Sequence, residues 1–266
     1  MTGATSTGQA PGRYRFGHVA RMEWIKLRSV RSTWWLLAVV PLAMAGVGVA
    51  VAVGYRSHRP VATTAQLVNN GLAGAVLAQV LVGALGVLVV SNEYSSGMIR
   101  ATLAAIPRRG LVLAAKLAVF GVVAFGIGEL GSLAAFAASQ AALAGSPVPR
   151  ASLGDPAILR TVVCIGAYLG LIGLLGVGVG ATVRHTGGAI GALFGVLFVP
   201  MFLAAVLGPF GITVLKFVPL FILVNSVGVV TPVPGTLSAW AGMAVLCVYP
   251  AVALGLGGWL LHRRDA

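Results

Sequence analysis

The sequence predicts an all-α membrane protein with six transmembrane helices. Three observations carry this prediction. First, 58% of the 266 residues are hydrophobic and only 9% charged. Second, apolar runs of about twenty residues, the length a helix needs to cross a bilayer, follow one another with short connections. Third, the basic residues gather at the ends of those runs. A soluble domain usually carries about a quarter charged residues. A soluble fold of this length would have too little charge to cover its exterior. In lipid an apolar exterior is correctly solvated, so residues 13–266 read as one membrane domain.

The elements follow in order. Residues 1–12 are small and polar and read as a disordered tail. Residues 16–33, FGHVARMEWIKLRSVRST, place Phe16, Val19, Ala20, Trp24, Leu27 and Val30 on one broad side at 100° per residue. His18, Arg21, Arg28, Ser29 and Ser32 fall on the other. This is the pattern of a basic amphipathic helix lying at a membrane interface. Met22 and Ile25 interrupt it, and Glu23 falls on the apolar side. There it reads as a snorkelling carboxylate, or as a partner for Lys26, Arg31 or a neighbouring loop.

Span 1, about 34–53, opens on the interfacial pair Trp34 and Trp35. It is too long for the apolar core of a signal peptide and reads as a retained span. Span 2 covers about 72–90. Span 3, about 111–143, exceeds one crossing, so part of it is expected to project from the membrane or bend. Spans 4, 5 and 6 cover about 161–183, 188–207 and 237–261.

Charge sets the orientation. With even spans, one side collects Arg13, Arg15, Arg21, Lys26, Arg28 and Arg31, then Arg100, Arg108, Arg109 and Lys116, then Arg184, Arg263 and Arg264. The other side has Arg56, Arg59, Arg150, Arg160 and Lys216. Thirteen against five puts the first group, with both termini, in the cytoplasm. The net charge of +13 thus fits topology and anionic headgroups better than nucleic acid, which is not expected as a partner. High Gly, Ala and Val with few Lys suggest a GC-rich bacterial source, hence the bacterial inner membrane. Residues 208–236 are apolar but broken by Pro209, Pro219, Pro232 and Pro234. A seventh span there would place the basic C-terminus outside, so an outer re-entrant hairpin is expected. Such backbone must be covered by protein or face water.

Glycines recur at fourth positions, Gly166/Gly170, Gly176/Gly180 and Gly187/Gly191/Gly195. Small residues at this spacing let helices approach closely in lipid. Packing of spans 4 and 5 within the chain is the expected use, with a dimer seam as the other reading. Cys164 and Cys247 have no metal-ligand spacing and read as small buried side chains. His18, His58, His185 and His262 lie in loops or near span ends without carboxylate partners. No metal site and no catalytic constellation emerges.

Two short segments carry the functional signal. One is E-W-I-K-L-R-S…T-W-W before span 1. The other is N-E-Y-S-S-G-M-I-R-A-T-L…P-R-R…A-K, beginning in the loop between spans 2 and 3. That loop, residues 91–110, reads as a short helix across the inner face, with Met98, Leu103 and Ile106 available to dock on another protein. Its plainer reading is a structured loop carrying topology signals. Together the segments resemble the permease subunits of ABC-2 type ABC transporters, over nearly the whole chain. The resemblance implies a membrane subunit of an ATP-driven exporter. It would work as a homodimer or as a heterodimer with a second permease, and pair with separate ABC ATPase subunits. It also implies a coupling helix seated on the ATPase, on which Glu93, Tyr94, Gly97, Ile99, Arg100, Thr102, Leu103 and Pro107 fall. Glu23, Lys26, Leu27 and Arg28 fall on the family's interfacial connecting helix. Met98 departs from the threonine common in relatives.

The chain itself lacks a phosphate-binding loop. Its lysines are Lys26, Lys116 and Lys216, and none follows a glycine as the P-loop requires. No enzymatic activity and no cofactor of its own are expected; ATP and Mg would sit on the partner. Glu129 lies deep in span 3, where an ionisable group is costly. It is the intramembrane polar candidate, for substrate passage or proton coupling, or for a packed polar contact. The competing functional class is a stand-alone secondary transporter or channel, for which one intramembrane carboxylate is thin support.

Overall fold

In the computed structural model, residues 15–58, 63–106, 108–147, 150–206, 211–229 and 235–263 are described. Among them there is no strand. Six helices are long and apolar enough to cross a membrane. They follow the expected order. A first helix, α1 (Phe16–Ser29), breaks at Val30 and leads into α2 (Arg31–His58). A short α3 (Thr64–Gly71) precedes α4 (Ala75–Ser95), and α5 (Met98–Ala105) follows it. Then come α6 (Arg109–Ala142), α7 (Pro156–Val183) and α8 (Thr186–Val206). Two short helices, α9 (Gly211–Leu215) and α10 (Pro219–Phe221), run into a π-helical turn, Ile222–Ser226. The last helix is α11 (Ala239–Arg263). The tail 1–12, Pro107, Pro209, Pro232 and Pro234 lie outside the described residues.

Several boundaries differ from expectation for identifiable reasons. Span 3 is longer than one crossing needs, as expected: α6 is one continuous helix of 34 residues, about 51 Å at 1.5 Å per residue. Span 2 starts later as a continuous helix. Thr63 and Gln66 form a reciprocal capping box that begins the separate α3, satisfying backbone donors that a helix start leaves open. Pro41, Pro200 and Pro250 stay inside α2, α8 and α11. Neighbouring helices allow this in membrane bundles. Between α8 and α11, the described residues hold only the short helices and the π turn.

α7 is the centre of the bundle. It packs against α4, α6, α8 and α11, while α2 packs chiefly on α6. The close seam is α4 on α7. Gly86 of α4 meets Gly173 of α7, and Gly83 meets Gly176, so tightly that a Cβ on Gly86 would collide with the Gly173 carbonyl, while Gly180 backs onto Val87. Gly166 is occupied differently: the Glu129 carboxylate lies over it, and the Phe125 ring covers Gly170. The glycines of α8 do not follow the expected intrachain packing. A Cβ on Gly191 or Gly195 would meet nothing within 4 Å among the described residues.

A buried hydrogen bond joins the same two helices. The Tyr168 hydroxyl of α7 donates to Gln79 Oε1 of α4, and both side chains are fully enclosed. Gln79 Nε2 has no partner among the described residues. Losing one partner strands a buried polar group, whereas losing both nearly cancels. Tyr168→Phe should therefore lower stability by about 1–3 kcal/mol, and the double variant Tyr168→Phe/Gln79→Leu should recover much of that loss. Unfolding of the detergent-purified proteins, followed by circular dichroism, checks the order.

Candidate functional site

The two motif segments meet at one end of the bundle. α1 packs on the first two turns of α6, with Val19, Ala20 and Met22 against Leu111, Val112 and Ala115. Ile106, just past α5, is buried in the same cluster. Two sequence expectations change here. Met22, which seemed to interrupt the apolar face of α1, packs inside it, while Trp24 and Phe16 stay exposed. Ile106, expected to dock on another protein, is instead part of this chain's own core.

Next to that cluster lie four charged side chains. Glu23 and Lys26 come from α1, Glu93 from the last turn of α4, and Lys116 from the second turn of α6. Lys26 Nζ donates to Glu23 Oε1 at 3.0 Å, to Glu93 Oε1 at 2.9 Å and to Thr102 Oγ1 of α5 at 3.2 Å. Lys116 Nζ donates to Glu93 Oε1 at 2.9 Å and to Glu23 Oε2. Glu23, Glu93 and Lys116 are only 4%, 6% and 5% exposed. Two carboxylates and two ammonium groups sum to zero, which is how the bundle tolerates burying them. Burial acts against the Lys26 ammonium, but bonding to Glu93 and the charges of Glu23 and Glu93 outweigh it. They hold Lys26 above the usual lysine range. The network therefore ties α1, α4, α5 and α6 together with charged hydrogen bonds.

Of the partners considered for Glu23, the structure supplies Lys26 and adds Lys116, the lysine that closes the second motif. α5 turns off α4 through Gly97 at φ 69°, a left-handed conformation that glycine adopts without steric penalty. Ile99 and Thr102 then face the bundle and Leu103 is half-buried. Met98, Arg100, Ala101, Ala104 and Ala105 are exposed. Leu27 packs against the core beside the network, and Arg28 stays exposed. Trp34 Nε1 donates to the Arg28 carbonyl at 3.1 Å, bracing the break between α1 and α2.

A second set of contacts closes this end. Arg184 adopts φ 60° at the C-cap of α7. Its guanidinium sits 5.1 Å from the Tyr94 ring centroid and donates to the Leu260 carbonyl at 3.0 Å. Arg109 donates to the Leu261 carbonyl. Two arginines from α6 and α7 thus satisfy carbonyls in the last turn of α11, groups a helix end leaves open. Glu129 lies elsewhere, half-buried between α6 and α7, and its carboxylate has no hydrogen bond or ion pair among the described residues. No group of three or more metal-ligating side chains occurs among the described residues. Against protein-family models and curated proteins the chain gives no match.

Proposed function

We propose that the chain is the membrane subunit of an ATP-driven ABC-2 type exporter in the bacterial inner membrane, with both termini in the cytoplasm. It works as a dimer, with ATP and Mg bound and hydrolysed on separate ATPase subunits. The observation that carries this reading is the buried network Glu23–Lys26–Glu93–Lys116 behind an exposed helix. α5 presents Met98, Arg100, Ala101, Ala104 and Ala105 outward, while Thr102 on its other side bonds to Lys26. A partner pressing on α5 therefore displaces α1, α4 and α6 together. Such a linkage suits a subunit moved by another protein. A self-contained transporter needs no such handle on its surface. The thirteen-to-five distribution of basic residues supports placing this end in the cytoplasm. The open glycine face of α8 supports a seam with a second permease.

The test is co-purification of an ABC ATPase subunit with the tagged chain. Tagged wild-type protein should hold that ATPase through purification. Arg100→Glu and Ala104→Trp should each cut retention at least tenfold without altering the chain's own melting temperature. Retention unchanged across both substitutions would sink the assignment of α5 as the coupling helix.

A further inference from the structure

The two sides of α1 have different neighbours. Val19, Glu23 and Lys26 turn inward, to the apolar cluster on α6 and to the charged network. On the opposite side Trp24, Arg28, Arg21 and Ile25 fall within an arc of about 100° at 3.6 residues per turn. All four are exposed, Trp24 by 41% and Ile25 by 57%. The guanidinium groups of Arg21 and Arg28 have no hydrogen bond or ion pair among the described residues. The network fixes the depth of this face. Glu23 and Lys26 bond to Lys116 in the second turn of α6 and to Glu93 in the last turn of α4, so α1 lies level with the ends of two spans. Trp34 and Trp35, in the first turn of α2, are exposed at the same end. In a bilayer this level is the headgroup layer, where tryptophan is favoured. The charge there is one-sided. The chain has five carboxylates. Glu23 and Glu93 are buried in ion pairs, Glu129 lies within span 3, and Asp155 caps the far end of α7. Among the described residues this end therefore exposes arginines and no carboxylate.

We infer that the outer face of α1 binds anionic phospholipid, with Arg21 and Arg28 on phosphate oxygens and Trp24 and Ile25 between them at the acyl boundary. A guanidinium group matches phosphate oxygens bidentately. A zwitterionic headgroup carries the same phosphate together with an ammonium, and two uncompensated guanidinium groups repel that ammonium. An anionic headgroup has no such opposing charge. The exposed Trp24 and Ile25 side chains gain an apolar surrounding from the same lipid, as on other interfacial helices. Periodicity points the apolar side of α1 at the membrane, but Val19 and Leu27 of that side pack within the chain. The side left for lipid is the mixed one, where arginines flank Trp24 and Ile25.

The experiment uses the purified full chain in phosphatidylcholine nanodiscs, without ATP or ATPase, so a negative result leaves the exporter reading untouched. The probe is phosphatidylglycerol with brominated acyl chains, which quench tryptophan fluorescence, set against brominated phosphatidylcholine. The Trp24 signal is the difference between wild type and Trp24→Phe. Brominated phosphatidylglycerol should half-quench it at a mole fraction at least about fivefold lower than brominated phosphatidylcholine, and high salt should shrink that preference. Arg21→Gln and Arg28→Gln should each remove most of the preference. Arg108→Gln, at another exposed arginine of the same end, should leave it intact. Equal quenching by the two lipids would overturn the inference, since the face would then touch the bilayer without selecting a headgroup. Quenching by neither would place a protein surface there and overturn it as well. So would a loss in Arg108→Gln as large as in Arg28→Gln, which would reduce the preference to general charge. Should an arginine variant fail to fold, the lipid and salt comparisons on the wild-type face decide alone.

Discussion

Replacing Lys116 with methionine should destabilise the contact of α1 with α6 by about 3–5 kcal/mol, the usual cost of removing one partner from a buried ion pair. Lys116 bonds to both carboxylates of the network. Without it, Glu23 and Glu93 share only Lys26, and a buried site of zero charge becomes one of net −1. Methionine keeps much of the length and apolar volume of lysine, so the effect isolates the charge. The sign can be checked by restoring neutrality. Glu23→Gln added to Lys116→Met leaves Lys26 paired with Glu93, and the double variant should be at least about 1 kcal/mol more stable than Lys116→Met alone, since residues of one network do not act additively. Local release of α1 gives a direct readout. Arg21 and Arg28 are exposed on α1, and tryptic cleavage there should accelerate at least tenfold in Lys116→Met and slow again in the double variant. Equal cleavage rates in all three proteins would mean that the network does not hold α1.

Gly176→Val should destabilise the fold by at least about 1–3 kcal/mol, whereas Gly191→Val should change the stability of the single chain by less than about 0.5 kcal/mol. A Cβ on Gly176 would overlap the Gly83 carbonyl of α4. Backbone cannot step aside as a flexible side chain can, so α4 and α7 must separate along the whole seam. Gly191 has nothing among the described residues within 4 Å of the position a Cβ would take. Both glycines belong to fourth-residue repeats in adjacent helices, so the comparison separates helix packing inside the chain from any use of the α8 face by a partner. Thermal unfolding in one detergent tests the first effect. Crosslinking of the α8 face in membranes tests the second, where Gly191→Val should weaken a dimer built on it. Equal melting temperatures for Gly176→Val and wild type would contradict the seam.

The six helices were legible because each satisfies a one-dimensional requirement of length and apolarity. The charge network was only half legible. Glu23 on an apolar face and Glu93 at a span end are visible anomalies, but Lys116 looks like one more basic residue beside a loop. It lies twenty-three residues from Glu93 and ninety-three from Glu23, and only the packing of α1 on α6 brings the three together. A sharper signal existed: in a chain with so few lysines, one placed two turns inside an apolar run needs a partner. Gln79 and Tyr168 left no mark in the sequence, because single polar residues in a span become informative only when their neighbours are known. The glycine repeats were visible, but repetition cannot tell a filled groove from an open one. Gly166 is filled by the Glu129 carboxylate from α6, which no local pattern on α7 records.

The central position of α7 bears on how the chain is made. Its four packing partners include α4 and α6, which leave the ribosome before it, and α8 and α11, which leave after it. Until α7 enters the bilayer, Gly83 and Gly86 of α4 face lipid and Glu129 has no helix to lie against. The first half of the molecule thus lacks its central packing surface until α7 is made. A ribosome that paused before residue 156 would prolong that exposure. One that translated quickly through to residue 183 would shorten it.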